Sequence, residues 1–215
     1  SSGKVEIKYM TAKEEDILSN QSYIKKGNVL DKLLESVMVS KIEIKDLIVG
    51  DKNAILIATR VLGYGKNYKV IVKGEEQNID LSILENKPFN EEDHKPGKNE
   101  FNFTLPSTEV EITYKILTGH DEVKIDREIA GLKRLHKDAS PELSTRLKYI
   151  ITSVDGETGT KEIREYIDNY LLARDSRALR EHIKETQPDV DLNYILEDGE
   201  EVSIPIGMSF FWPDI

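Results

Sequence analysis

Two short acidic hairpins near opposite ends of the chain constrain the fold more than any other feature. Each has strand-like residues on both sides of a polar turn: 68–72 and 79–81 around Lys73-Gly74-Glu75-Glu76, and 194–196 and 202–206 around Asp198-Gly199-Glu200-Glu201. A glycine-containing turn between such segments is typical of a β-hairpin. The shared Gly-Glu-Glu predicts a pair of quasi-equivalent hairpins suited to stacking. Chance similarity between two acidic turns is the alternative.

The first third of the chain is predicted to be mainly helical. Residues 5–9 alternate apolar and polar side chains, which favours a half-buried opening strand. Thr11-Ala12-Lys13-Glu14 then has the spacing of a capping box, in which the Glu14 carboxylate reaches back to the Thr11 amide. Asn28 is a suitable N-cap for a helix whose apolar side chains over 29–38 form one stripe.

A third helix is predicted from Asp51, as its cap, through Leu62. Gly63-Tyr64-Gly65 ends it, because glycine adopts the left-handed conformation without steric cost. Two alternating strands follow at 101–106 and 109–116. A mostly helical block then covers 121–185, with breaks predicted at Ser140-Pro141, at Asp155-Gly156 and at an Asp175-Ser176 cap.

The order of helices, strands, helices and hairpin predicts an α+β fold rather than repeating βαβ units. The expected organisation has four segments: a strand and helices over 1–66, a β-rich region over 67–118, a helical region over 119–190, and a C-terminal hairpin with an aromatic tail over 191–215 that packs back on the β-region.

Composition excludes several kinds of function. A net charge of -10 and a pI near 5.0 disfavour contact with nucleic-acid phosphates, so no nucleic-acid partner is expected. The chain has no Cys, which removes disulfides, thiolate metal sites and cysteine nucleophiles. Its longest apolar run, residues 54–58, is too short to cross a bilayer. No membrane partner and assembly in a cytoplasm are expected.

No group of side chains makes a convincing catalytic or metal site. The histidines are scattered, at His94, His120, His136 and His182. The acidic pairs occur at helix starts or turns, where ordinary acidity is expected: Glu14-Glu15, Glu75-Glu76, Glu91-Glu92 and Glu200-Glu201. Gly63-Tyr64-Gly65-Lys66 follows a helix instead of preceding one, so it does not suit phosphate binding. The basic residues 133–137 lack interleaved aromatics and favour a solvated or protein-facing surface.

The C-terminal Phe210-Phe211-Trp212-Pro213 is unusually apolar for a chain end. Two interpretations stay open: the rings pack into the chain's own core, or they anchor a partner protein. Ile204-Pro205-Ile206-Gly207 predicts extended backbone before them, so at least one ring is expected to face outward. Phe210, Phe211, Trp212 and Pro213 are therefore the candidate partner-binding residues.

Several segments together resemble the T-even phage baseplate hub proteins of contractile-tailed phages. The similarity is carried by residues 10–18, Lys26-Gly27, 30–36, 46–51, 54–60, Gly63-Tyr64-Gly65 and the ending Phe210-Phe211-Trp212-Pro213. It is dense over the first 70 residues and the last 30, and thin between them. The resemblance implies a non-enzymatic structural protein of the virion tail baseplate that contacts other hub and tail proteins, including the tape-measure protein, in multiple copies within a symmetric assembly.

Members of this family often carry a Cys-x-x-Cys knuckle in each hairpin region, which together imply a structural zinc. This chain departs from that pattern, because 72–76 and 196–199 supply no thiolate. A zinc-ribbon-like hairpin pair without zinc, and no cofactor, is therefore expected. The alternatives are a hub-assembly chaperone absent from the mature virion and, as a different class, a metal-dependent hydrolase that uses clustered carboxylates.

Overall fold

The computed structural model describes residues 4–88, 97–135, 141–196 and 199–212, and it confirms the α+β class. Helices occur at both ends of this part of the chain, and the strands form small antiparallel sheets. The chain divides into two compact units. One unit, here called the split unit, comprises the chain up to Lys87 and again from Pro188 onward, and the inserted unit is Pro88–Gln187.

This division differs from the four predicted segments. The strand at 111–114 pairs on one side with the strand at 101–104 and on the other with a strand from the middle of the predicted helical region. All three strands belong to the inserted unit. The β-rich region 67–118 is therefore cut at Lys87, because backbone pairing and a shared core group residues more strongly than closeness in sequence does.

The split unit is mainly helical before its first hairpin. Its elements are α1 (Ala12–Leu18), α2 (Gln21–Lys25), α3 (Val29–Val37), a 3₁₀ turn (Ile44–Asp46), α4 (Val49–Tyr64), β1 (Asn67–Val72), β2 (Glu75–Asp80), a second 3₁₀ turn (Leu81–Ile83), β6 (Asn193–Ile195), β7 (Glu201–Ser203) and α9 (Met208–Phe211). The predicted capping box is confirmed, since Thr11 N–H donates to the Glu14 carboxylate at 2.8 Å. The predicted glycine stop is confirmed at Gly65, which has a φ of 85°.

Both predicted hairpins are present and both contribute to the core of the split unit. The β1–β2 turn places Lys73 and Gly74 at φ values of 52° and 88°, as a two-residue type I′ turn requires. An ion pair of 2.7 Å joins Lys73 Nζ to Glu200 Oε2, so the two hairpins also touch through polar groups. The C-terminal segment packs back on the first hairpin, because the Phe210 ring lies 5.2 Å from the Tyr68 ring.

Three local predictions need correction in the split unit. The opening strand is reduced to a single bridge between Ile7 and Met38, because that arm meets only a short extended stretch after α3. Asp51 lies in the first turn of α4 and is not its cap, since the helix begins at Val49. The third predicted helix, α4, continues beyond its predicted end at Leu62 to Tyr64. Phe210 and Phe211 lie in the short helix α9, and both rings are buried in the core.

The inserted unit is built around one antiparallel sheet with the strand order β3–β4–β5. Its elements are β3 (Phe101–Thr104), β4 (Glu111–Tyr114), α5 (Gly119–Leu135), α6 (Glu142–Ile150), β5 (Ile151–Val154), α7 (Thr160–Asn169) and α8 (Ala173–Thr186). The predicted mostly helical block also contains a strand, β5, which the sequence analysis did not predict and which directly precedes the predicted break at Asp155-Gly156. Asp175 lies inside α8 and not at a break.

Gly50 in the first turn of α4 makes a close backbone contact that only glycine allows. A Cβ atom at this position would lie 2.0 Å from the carbonyl oxygen of Pro188. We expect Gly50→Ala to lower the free energy of unfolding by about 2 kcal/mol, because backbone on both sides must move to relieve the overlap. Urea unfolding followed by circular dichroism measures the change.

Gly131 supplies the matched control for this substitution. It also lies in a helix, α5, but a Cβ atom there would meet nothing within 4 Å. Gly131→Ala should therefore leave stability unchanged or raise it by about 0.5–1 kcal/mol, as alanine does within a helix. Equal effects of the two substitutions would mean that the Gly50 contact does not limit the fold.

Candidate functional site

The C-terminal aromatic residues divide between core and surface. Phe210 and Phe211 are completely buried, and their rings meet edge to face at 5.5 Å. Trp212 packs against the same core but remains partly exposed, as expected for at least one ring. Because the rings of Phe210 and Phe211 are buried, they offer no surface to a partner protein. Among the described aromatic residues of this segment, Trp212 remains the candidate for partner binding. Pro213 lies outside the described residues.

Arg60 of α4 binds this C-terminal segment, although no local sequence pattern indicates such a role. Its side chain is only 2% exposed. Its Nε donates to the Phe210 carbonyl oxygen at 3.1 Å, and Nη1 donates to the Gly65 carbonyl oxygen at 3.0 Å. The guanidinium also lies 5.1 Å from the Tyr64 ring centre. Arg60 therefore joins the end of α4 to α9, and its hydrogen bond to the Phe210 carbonyl oxygen is buried.

An apolar groove lies along α4 in the split unit. Its volume is about 430 Å³, and its walls come from α4, from the segment after β2 and from the paired backbone near Val190: Ala54, Ile57, Ala58, Val61, Leu62, Leu81, Ser82, Leu84, Asn86 and Val190. Ser82 and Asn86 are the polar members of this lining, and neither ionises. A second cavity of about 390 Å³ includes Glu35, Glu43 and Lys45 in its lining and is therefore more polar.

The described residues that line the groove include no ionisable side chain. General acid–base or nucleophilic chemistry requires an ionisable or nucleophilic side chain aimed at the substrate. The single hydroxyl of the lining, Ser82 Oγ, donates a hydrogen bond to the carboxylate of Asp80, a residue that is not part of the lining. Leu62 remains 39% exposed at the groove, so apolar surface stays in contact with water. Such a surface suits burial against an apolar partner segment.

Helix α7 of the inserted unit can be compared with α4, and its solvent-facing side is polar. When α4 and α7 are aligned from their N-caps, Ile48 and Gly159, Leu56 corresponds to Ile167 and both are buried. The outer positions differ: Ala54 and Ala58 in α4 correspond to Glu165 and Asn169 in α7, which are exposed. A helix with buried residues on one face can therefore have polar residues on its solvent-facing side, as α7 does. The apolar residues on the solvent-facing side of α4 are specific to α4.

The expectation that the carboxyl groups of the acidic pairs keep an ordinary pKa is wrong for Glu14. Its side chain is completely buried. Thr11 Oγ1 and Ser36 Oγ each donate to the carboxylate at 2.6 Å, and Lys8 Nζ lies 2.9 Å away. Burial alone would raise the pKa of Glu14, but the hydrogen bonds from Ser36, Thr11 and Lys8 together hold it well below its usual range.

Asp121 repeats this arrangement in the inserted unit. Thr118 N–H donates to its carboxylate at 3.1 Å, and Lys115 Nζ donates at 2.7 Å. Burial opposes ionisation, yet the contacts with Lys115 and Thr118 lower the pKa of Asp121. The sequence signal that could have revealed both sites is the spacing Lys-x-x-Thr-x-x-acid, which occurs at Lys8 to Glu14 and at Lys115 to Asp121.

The surrounding backbone is repeated as well. Lys8 N–H donates to the Val37 carbonyl oxygen at 2.8 Å, and Lys115 N–H donates to the Ile150 carbonyl oxygen at 2.9 Å. In both units an extended segment therefore leads into a helix capped by threonine and pairs with the residues at the end of a later helix. The two buried carboxylates hold this local structure together, and their hydrogen-bonding capacity is used in doing so.

A third buried carboxylate, Asp175 of α8, is hydrogen-bonded to the loop between β3 and β4. Its side chain accepts hydrogen bonds from Ser107 N–H at 2.8 Å and from Thr108 Oγ1 at 2.9 Å. Burial opposes ionisation, but these donors lower the pKa of Asp175. This residue was predicted as a helix cap, and the structure instead assigns it to a contact with a distant loop.

The remaining candidates that the structure describes make local contacts of their own. Lys66, next to the glycine stop of α4, pairs with Asp80 at 2.7 Å, and Lys133 pairs with Glu142. His182 stacks on Phe103 with ring centres 4.5 Å apart, while His120 lies in the first turn of α5. His94 and His136 fall outside the described residues, as do Glu91-Glu92 and Lys137.

The hairpins do not fit the zinc site that the resemblance implies. The turn of the first hairpin carries the cation Lys73 next to Gly74, and the Lys73 ammonium group is paired with the Glu200 carboxylate. A structural zinc requires four thiolate or imidazole donors in a tetrahedron, and an ammonium group cannot serve as one. The hairpins contribute side chains to one hydrophobic core and are also joined by this ion pair.

Comparison with known proteins adds no relative. No family model matches the chain, and neither a curated protein nor a solved structure is significantly similar to it. Among the described helices, none has both the length and the apolar composition needed to cross a membrane.

Proposed function

We propose that the protein is a non-enzymatic structural component of a contractile-tail baseplate hub and that it acts through protein–protein contacts. The observation that carries this proposal is the apolar groove beside α4, whose lining contains no ionisable side chain. Such a surface contributes to binding by excluding water from an apolar partner segment.

Two further observations support a structural role. The buried carboxylates Glu14, Asp121 and Asp175 accept hydrogen bonds from neighbouring backbone and side-chain groups, which suits them to holding the fold. The proposal takes its biological setting from the resemblance to baseplate hub proteins. The expected partners are other hub and tail proteins, including the tape-measure protein, and the expected location is the tail baseplate after assembly in the host cytoplasm.

Leu62→Glu tests the groove directly. The substitution places a carboxylate in a surface that the partner is expected to cover, and burying an unpaired charge is costly. We expect the affinity for the hub partner to fall at least about tenfold, which corresponds to about 1.4 kcal/mol. The measurement is quantitative co-purification from infected cells, with the hub and tape-measure proteins identified by mass spectrometry.

Leu135→Glu is the matched control. Leu135 is also an exposed leucine near the end of a helix, at 77% exposure, but it does not line the groove. This variant should bind as the parent does, and thermal unfolding should show that both variants are folded. If both variants lose binding, or if neither does, the groove is not the partner-binding surface. Intact tails formed after deletion of the gene would refute the structural role itself.

The hub-assembly chaperone remains the alternative, since the same groove could hold a partner only transiently. Mass spectrometry of purified virions separates the two functions, because a structural component stays in the particle and a chaperone does not. Divalent-metal-dependent hydrolysis that is abolished by replacing one carboxylate cluster would instead establish an enzyme.

A further inference from the structure

The chain leaves the split unit and returns to it at one place. Residues on either side of the inserted unit pair with each other in an antiparallel bridge between Asn86 and Val190. Lys87 N–H donates to the Asp189 carbonyl oxygen at 2.8 Å, and Asp191 N–H donates to the Glu85 carbonyl oxygen at 2.8 Å. The two parts of the split unit, before and after the inserted residues, are therefore hydrogen-bonded to each other where the inserted unit begins and ends.

Contacts within the split unit hold this closing bridge in place. Asn53 Nδ2 of α4 donates to Asp189 Oδ1 at 3.0 Å. Val190 is 6% exposed and belongs to the core of the split unit. The Pro188 carbonyl packs against Gly50 more closely than any residue with a side chain would permit. These contacts do not require residues 88–187.

Each unit also has a hydrophobic core made from its own residues. The core of the split unit includes Leu33, Ile79 and Phe210, and all its buried members lie outside 88–187. The core of the inserted unit includes Ile112 and Leu179, and all its buried members lie within that range. Possession of a separate core is what lets a domain fold alone, and both units fall within the usual domain size of roughly 50–200 residues.

We propose that Pro88–Gln187 is an autonomously folding module inserted into a second autonomous module, so that the inserted unit can unfold while the split unit and its apolar groove stay native. Prolines at both boundaries, Pro88 and Pro188, suit such a junction, because proline limits continuation of regular structure from one unit into the other. This inference depends on the separate cores and the closing bridge, and it holds whether or not the groove binds a hub protein.

Each unit can be observed separately within the intact 215-residue chain. Trp212 is its only tryptophan and packs against the core of the split unit, so tryptophan fluorescence reports that unit. Hydrogen exchange followed by mass spectrometry in increasing urea reports the peptides of the inserted unit. Leu179→Ala and Leu33→Ala remove equivalent, completely buried side chains from the inserted and split units.

Leu179→Ala should lower the urea midpoint of the inserted unit by on the order of 1 M and leave the Trp212 midpoint unchanged. Leu33→Ala should lower the Trp212 midpoint and leave the urea midpoint of the inserted unit unchanged. If Leu179→Ala unfolds the inserted unit outright, a native Trp212 transition in the same sample still supports the proposal. The milder pair Ile112→Val and Ile79→Val gives the same comparison if Leu33→Ala cannot be produced. A common shift of both transitions by either substitution would overturn independent folding.

Discussion

Phe210→Ala is expected to lower the free energy of unfolding by about 4 kcal/mol, the largest effect of any single substitution considered for this protein. Phe210 is completely buried and contacts both Tyr68 of the first hairpin and Phe211. Alanine leaves a cavity that the surrounding side chains cannot fill, since Arg60 still binds the Phe210 carbonyl oxygen and holds the backbone in place.

Trp212→Ala separates core packing from partner binding. Trp212 is partly exposed, so its removal should cost less stability than removal of Phe210 or Phe211. If Trp212 anchors a hub protein, the same substitution should weaken co-purification by on the order of 2 kcal/mol, or about 30-fold. Circular dichroism during urea unfolding measures stability, and the binding assay used for Leu62→Glu measures the contact. A Phe210→Ala variant that unfolds like the parent contradicts the packing described here.

Glu14→Gln should lower the free energy of unfolding by about 2–3 kcal/mol at neutral pH. Replacing the carboxylate by an amide removes the ion pair with Lys8 and introduces a buried NH₂ group where the surrounding groups are donors: Thr11 N–H, Thr11 Oγ1 and Ser36 Oγ. Breaking a buried charge pair is costly because the remaining groups lose their partner without regaining water. Lys8 keeps 43% exposure, which places the expected cost below that of a fully buried pair.

The difference between parent and Glu14→Gln should depend on pH. The folded-state pKa of Glu14 is lowered, so its ionised form stabilises the protein above the unfolded-state pKa of about 4.3. This contribution is lost as the pH falls below that value toward the folded-state pKa. The stability of parent and variant should therefore converge in acid, and denaturant unfolding from pH 7 to pH 3 measures the convergence.

Asp16→Asn is the control on the same helix, because Asp16 is exposed and its carboxylate is solvated. It should change stability by less than about 0.5 kcal/mol. Asp121→Asn is the matched test in the inserted unit, where the same loss is expected in the transition of that unit. A difference between parent and Glu14→Gln that stays constant throughout the pH range would contradict the assigned role of the Glu14 carboxylate.

The sequence alone was sufficient where a local rule dominates. The capping box at Thr11, the stop at Gly65 and the turn at Lys73-Gly74 each depend on the geometry of a few consecutive residues. The apolar stripe of α3 was also predictable, because its period follows from the pitch of a helix. These elements, with two hairpins and two further strands, were enough to identify the α+β class.

Tertiary structure decided which elements share a core and which side chains lose water. The pairing of β5 with β4 and the grouping of residues before Lys87 with those after Pro188 join residues far apart in the chain. The burial of Glu14 and Arg60 likewise depends on partners elsewhere: Ser36 is on α3, and the Phe210 carbonyl is on α9. Local sequence predicts backbone conformation through short-range sterics and hydrogen bonding, whereas burial, pKa and the apolar groove arise only when distant segments meet and exclude solvent.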